Sequence, residues 1–254
     1  MILKSLKRNR IAVFFYRKAK RIVQYFSFIK NYRAFKKNSG ENPRFPLSWK
    51  KRMPILGENT ATTNFDAHYI YHPAWAGRIV KKINPEFHTD ISSTLHFSSI
   101  LSAFIPLRFY DYRPANLKLS NLQTGTADLL HLPFPDQSIK SLSCMHTVEH
   151  IGLGRYGDPI DPEGDIKAIK ELKRVLASGG NLLFAVPIGK PAIRFNAHRI
   201  YSYDQIIKYF EGLELKEFSL IPDDGAKNGM ILNASKDLAD KQSYGCGCFW
   251  FIKK

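Results

Sequence analysis

Acidic side chains are almost missing from the first fifth of the chain. Residues 1–52 contain sixteen Lys or Arg and a single acid, Glu41, for a net charge of +15. The remaining residues carry only +1 of the total +16. The basicity therefore belongs to an N-terminal arm, and the rest of the chain is close to neutral. Cysteine is also scarce: Cys144, Cys246 and Cys248 are too few and too unevenly placed for a disulfide framework, which points to a reducing, cytoplasmic setting. Long apolar runs are lacking too. No stretch reaches the ~20 residues a membrane-crossing helix needs. Ile11 to Tyr16 is broken by Arg17 and Lys18, and no secretory signal is expected. What is present, 254 residues with 44% apolar and 13% aromatic side chains, suffices for one substantial packed domain plus an appendage.

The arm has no Gly or Pro from Leu3 to Phe35, so a long helix is permitted. Ala12, Phe15, Ala19, Ile22, Phe26 and Ile29 recur at spacings of three and four and form one stripe, with Arg17, Lys18, Lys20, Arg21 and Lys30 mostly off it. A helix lying on an anionic membrane surface accounts for both faces. Nucleic acid would use the charge but not the stripe. A helix docked on protein with a solvated basic face is the third reading, and charge pattern alone does not separate them. Residues 38–63, with Pro43, Pro46, Pro54 and Gly57, read as an irregular connection. After them, a helix is expected with Pro73 near its first turn. His68, Tyr69 and His72 invite a ligand reading, but histidines among aromatics more often pack or hydrogen-bond. The Cys246-Gly247-Cys248 pair lacks a second ligand pair, so no metal centre is assigned.

Beyond this point the pattern is α/β. Residues 87–91 and 107–111 read as strands around a helix at 94–104, a βαβ unit. In such sheets ligands bind at the carboxyl ends of strands where the strand order reverses, which places Asp90, Ser92, Thr94 and Asp111 beside a ligand. Asp111, ending the second strand, has the position of a carboxylate that accepts from a ribose diol; a turn-capping role with Arg113 is the alternative. Glycine is missing from the first turn, where the string is Asp90-Ile91-Ser92-Ser93-Thr94. Ser92, Thr94 and Phe97 occupy the three positions of the dinucleotide fingerprint, which argues against NAD. A buried strand at 139–145 precedes His146, Glu149 and His150. An amphipathic helix at 165–176 then stops at Gly179-Gly180, before a second buried strand at 181–186. Strands at 213–221 and 247–252 close the domain.

The order of LPFPD (132–136), VEHI (148–151), KRVLASGG (173–180) and LLFAVP (182–187), with HYIYHPAW, HTDISS, FYDYRP and NAHRIYS, resembles a class I S-adenosylmethionine-dependent methyltransferase domain. More narrowly it resembles a methyltransferase-related family of unknown function linked to surface-glycan synthesis, over residues 65–223. The resemblance implies a Rossmann-like sheet with helices on both faces at residues 87–254, preceded by a basic arm (1–52) and a linker with a lid or packing helix (53–86). It implies S-adenosyl-L-methionine as cofactor, held by Asp90, Ser92, Thr94, Asp111, Asp128, Leu129 and His146, with Asp128 near the adenine and Leu129 over its ring. His150 or His198 is the candidate general base for hydroxyl methylation. Asn196 and Arg199 are candidate acceptor contacts, and the flexible, polar loop at 152–165 is expected to form part of the acceptor pocket. The implied function is methyl transfer to a polar, glycan-type acceptor at the cytoplasmic face of a membrane reached through residues 1–52. A non-catalytic methyltransferase-like binding module and a nucleic-acid methyltransferase are the alternatives.

Overall fold

The computed structural model describes residues 10–41 and 43–254. The chain divides into two compact units, residues 1–64 and 65–254.

In the first unit a long helix, α1 (Arg10–Asn38), matches the expected one; its predicted start at residues 3–9 lies outside the described residues. The predicted apolar stripe is largely open, with Phe15 63%, Ile22 57% and Phe26 65% exposed. Packing falls on an adjacent face instead. Trp49, at the head of a 3₁₀ turn (Trp49–Lys51), meets Tyr32 edge-on at 4.9 Å and Phe28 at 6.2 Å between ring centres. Among the described residues no helix is long and apolar enough to cross a membrane.

The second unit opens with α2 (Ala67–Ile83). Asp66 caps it by accepting from the backbone N–H of His68 and Tyr69, which starts the helix well before Pro73 and leaves that proline in its interior, not its first turn. Trp75, Ala76, Ile79 and Val80 of α2 are buried. This helix therefore belongs to the domain, and the division falls at 64/65 where the sequence suggested 86/87. The strands are β1 (His88–Ile91), β2 (Leu107–Asp111), β3 (Leu122–Thr126), β4 (Ile139–Met145), β5 (Leu176–Ile188), β6 (Ala192–Arg194), β7 (His198–Ile200), β8 (Leu213–Ile221) and β9 (Gly245–Lys253). Seven form one sheet in the order β3-β2-β1-β4-β5-β9-β8. The β3-β2-β1-β4-β5 run is parallel throughout, while β9 pairs antiparallel with both β5 and β8. The remaining helices are α3 (Leu95–Leu101), α4 (Gly164–Val175), α5 (Tyr203–Tyr209), α6 (Gly225–Asn228) and α7 (Lys236–Asp240).

Two apolar clusters sandwich the sheet. One joins Ala168, Ile169, Leu172 and Val175 of α4 and Ile206 of α5 to Leu142, Leu182 and Phe184. The other joins α2 and Phe97 and Leu101 of α3 to Phe109, Leu183 and Trp250. Alternation along each strand explains why Leu182 and Leu183 serve opposite clusters. The architecture is the Rossmann-like arrangement expected, with helices on both faces. Gly179 and Gly180, however, do not stop α4. The helix ends at Val175, and the two glycines lie in an irregularity of β5, between the pairs Ile139–Leu176 and Ser141–Asn181. Gly179 has φ +71°, and a Cβ on Gly180 would stand 2.7 Å from the Ala177 carbonyl. The β6–β7 hairpin and β3 were not anticipated; β3 reads LQTGT, too polar and short to stand out.

Candidate active site

The strand order reverses between β1 and β4, and at their carboxyl ends a cleft opens. Ser92, Asp111, Asp128, Leu129, His146 and His150 line it, so six residues singled out from sequence converge on one place. Tyr112, Arg113, Thr147, Tyr156 and Asp158 complete much of the wall.

The turn after β1 keeps a glycine-like shape without glycine. Ser92 has φ +57°, and its backbone N–H donates to the Tyr110 carbonyl at 2.7 Å, tying the turn to β2. A non-glycine residue there is strained, on the order of 1 kcal/mol. His146, the first residue past β4, is also left-handed at φ +55°. Two strained residues thus flank the reversal point.

Asp111 and Asp128 are held alike. Oδ1 of Asp111 accepts from the Arg113 N–H at 2.7 Å, and Oδ1 of Asp128 from the Leu130 N–H at 2.9 Å. Each is a turn in which the carboxylate grips backbone two residues on. The second oxygen of each has no hydrogen-bond partner among the described residues.

The opposite wall is built from buried groups. Glu149, 1% exposed, places Oε1 2.8 Å from His146 Nδ1 and 3.8 Å from His150 Nε2. Burial opposes ionisation of Glu149, but the His146 and His150 rings and a backbone N–H together outweigh it, and its pKa falls below the ordinary value. Burial likewise opposes a charge on His146, yet Cys246 and Glu149 together raise it to about 10. Its ring stacks against those of His68 (5.2 Å between centres, 21° between planes) and Tyr69 (5.3 Å, 29°). His150 differs: burial lowers its pKa, and its Nδ1 sits 2.6 Å from the Ala197 carbonyl. A carbonyl only accepts, so Nδ1 carries the proton and Nε2 the lone pair. The loop beyond it is not slack. Asp158 accepts from the N–H of Gly152, Gly154 and Tyr156, and these bonds outweigh partial burial to lower its pKa. The Arg113 guanidinium lies 4.4 Å over the Tyr156 ring, whose edge meets His150.

Five other candidates lie elsewhere. Asp90 is fully buried behind the turn, where Ser98 Oγ donates to Oδ2 at 2.7 Å and Ser143 Oγ to Oδ1; it supports the site from below and does not line it. Burial raises its pKa to about 6, against the pull of Ser143, Ser93 and Ser98. Thr94 caps α3 by accepting from the Phe97 N–H at 3.2 Å. Arg199, 5% exposed, donates to the carbonyls of Ile151 (2.6 Å), Pro162 and Asp161 and pairs with Asp165 at 3.6 Å. Its donors are engaged inside the fold, which corrects its assignment as an acceptor clamp. Asn196 is exposed in the turn between β6 and β7. His198 lies against Tyr244, 4.7 Å between ring centres, outside the cleft lining.

The sequence of residues 136–238 matches a family described as Caenorhabditis protein of unknown function, DUF268. No curated protein matches the sequence. Among solved structures, the chain is similar to a candidate sarcosine dimethylglycine methyltransferase from Galdieria sulphuraria, with 11% identity and a TM-score of 0.50 over 72% of this chain and 85% of that one. It is also similar to a SAM-dependent methyltransferase from Thermotoga maritima (16% identity, TM-score 0.48, 74% and 92% covered) and to the YcgJ protein from Bacillus subtilis (15%, 0.47, 70% and 97%). The fold is that of the class I methyltransferases.

Proposed function

We propose that the cleft binds S-adenosylmethionine and that the protein transfers its methyl group to a hydroxyl of a polar, glycan-type acceptor. The observation that carries this reading is the pair of free carboxylate oxygens on Asp111 and Asp128, on the β2 and β3 side of the reversal point. One accepts from a ribose diol and the other from an adenine amine, with Leu129 against the ring. The left-handed Ser92 supports the same reading, because the turn keeps the path that glycine would give it. When bound, the cofactor supplies an activated methyl group.

The chain's own part is orientation and proton removal. His150 is neutral at ordinary pH, with Nδ1–H fixed on the Ala197 carbonyl, so Nε2 is free to accept a proton from an acceptor hydroxyl. The Glu149 carboxylate, 3.8 Å from that nitrogen, stabilises the imidazolium that results. Tyr156, held by Arg113 and the Asp158 turn, gives an amphipathic wall suited to a sugar face. The arm, with Phe15, Ile22 and Phe26 exposed beside its basic residues, fits a membrane-surface anchor that brings the domain to its acceptor.

Titration calorimetry with S-adenosylmethionine tests the reading. The expected result is binding by the intact chain and loss of at least tenfold in affinity on Asp111→Ala. Absence of binding by the intact protein would instead favour a non-catalytic module. Co-sedimentation with vesicles that requires anionic lipid supports the anchor; binding to RNA or DNA with a steep salt dependence and none to vesicles overturns it.

A further inference from the structure

Behind His146 lies a group of polar side chains that the proposed methyl transfer does not use. His68 comes from the first turn of α2, His146 from the end of β4 and Cys246 from β9. All three are buried, and one donor atom from each lies within 4.8 Å of the others. We propose that His68, His146 and Cys246 form a binding site for a borderline divalent transition-metal ion such as zinc.

Four observations carry this. The donor set of two imidazoles and one thiol suits zinc and its neighbours and is unsuited to magnesium or calcium. His146 Nε2 is buried with no hydrogen-bond partner, although the protein orients the ring closely. That orientation comes from Glu149, whose carboxylate holds Nδ1 at 2.8 Å and so directs Nε2 inward, the usual outer-shell support of a metal-bound histidine. Finally, His72, one helical turn past His68, is fully buried with its own Nε2 unpartnered. Its Nδ1 lies 2.6 Å from the His68 carbonyl and must donate to it, so a bare lone pair remains. Three buried imidazole rings with two orphaned nitrogens make a poor packing solution but a sound ligand set.

Tetrahedral bonds of about 2.0–2.3 Å put ligand atoms roughly 3.4–3.7 Å apart, so donors already within 4.8 Å of one another close by at most about 1.4 Å on binding. The fourth position goes to a water whose hydrogen the His72 nitrogen accepts. Cys248, whose Sγ is 3.8 Å from that of Cys246, stays outside the ligand set. Because the ligands come from a helix and two strands, the ion would tie α2 to the sheet beside the cleft that His146 also lines. This proposal does not rest on the methyl-transfer reading and is tested without it.

The full chain, stripped with a chelator, is titrated with cobalt(II). We expect one equivalent to bind, with the strong visible absorption of a tetrahedral ion and a thiolate-to-cobalt band in the near ultraviolet, and zinc to displace it and raise Tm. Cys246→Ser should abolish the thiolate band and Cys248→Ser should keep it. His68→Gln should weaken binding at least tenfold. Circular dichroism confirms that each variant is folded; if Cys246→Ser is not, the His68→Gln titration decides. No cobalt uptake by the intact chain overturns the site. So does a thiolate band that survives Cys246→Ser, or unaltered affinity in His68→Gln.

Discussion

The two walls of the cleft are held in place by different means. On the β1–β2–β3 side, Ser92, Asp111 and Asp128 are fixed by their own turns, each bonded to backbone close by in sequence or on the next strand. On the β4 side, Glu149, His146 and His150 are fixed by burial against residues from α2, the β6–β7 turn and β9. Removing a group from the first wall should change what binds and leave the fold intact. Removing one from the second should change what binds and destabilise the fold as well.

The sharpest test is Glu149→Ala. In the ion-free chain it leaves the His146 imidazolium buried without its carboxylate, and loss of one partner of a buried pair costs about 3–5 kcal/mol. Urea unfolding should show that drop; a change under 1 kcal/mol would erase the contrast.

Asp90 lies under the first wall but behaves like the second. Its pKa is raised from 3.8 to about 6, so the folded state binds the proton more tightly than the unfolded chain does. The contribution to stability is therefore full below 3.8 and is lost as pH climbs through about 6, roughly 3 kcal/mol in all. Asp90→Asn cannot ionise. The difference in unfolding free energy between the two proteins should move in favour of the variant across that window, and a constant difference would show that the carboxyl is not perturbed.

Thr94→Ala should lose about 1 kcal/mol through the missing cap on α3, with affinity for S-adenosylmethionine unchanged. Equal loss of affinity and stability would return Thr94 to the ligand wall. The smallest expected change in stability is for Asp111→Ala, within about 0.5 kcal/mol, despite its predicted effect on binding. Unfolding of that variant would break the comparison outright.

The same contrast explains which parts were legible in the sequence. The apolar runs at 139–145 and 181–186, and the three-residue spacing of Ile166, Ile169 and Leu172, determine strands and a helix by local pattern, and the structure follows them. That Ser92, Asp111 and Asp128 share one cleft was legible because strand ends and turn residues are local signals too. Arg199 was misread because nothing nearby in the chain reveals Ile151 and Pro162, 48 and 37 residues away, as its partners. Thr94, expected beside a ligand, caps α3 instead, a role open to any Thr that precedes a helix. Tyr156 and Asp158 were hidden in a Gly-rich loop that reads as flexible. In α1 the periodicity was right about the helix, yet Trp49 packs on Phe28 and Tyr32, beside the stripe that the pattern singled out.

The loop over residues 152–158 has a kinetic corollary. One carboxylate, Asp158, gathers three amides, and a Cβ on Gly152 would collide with the Asp161 carbonyl at 2.0 Å. A segment tied this way is a fixed jamb and not a swinging door. Ligands would enter and leave past it without waiting for it to open, so turnover would not be paced by this loop. Its amide hydrogens at Gly152 and at the only half-buried Tyr156 should accordingly exchange slowly with deuterated solvent.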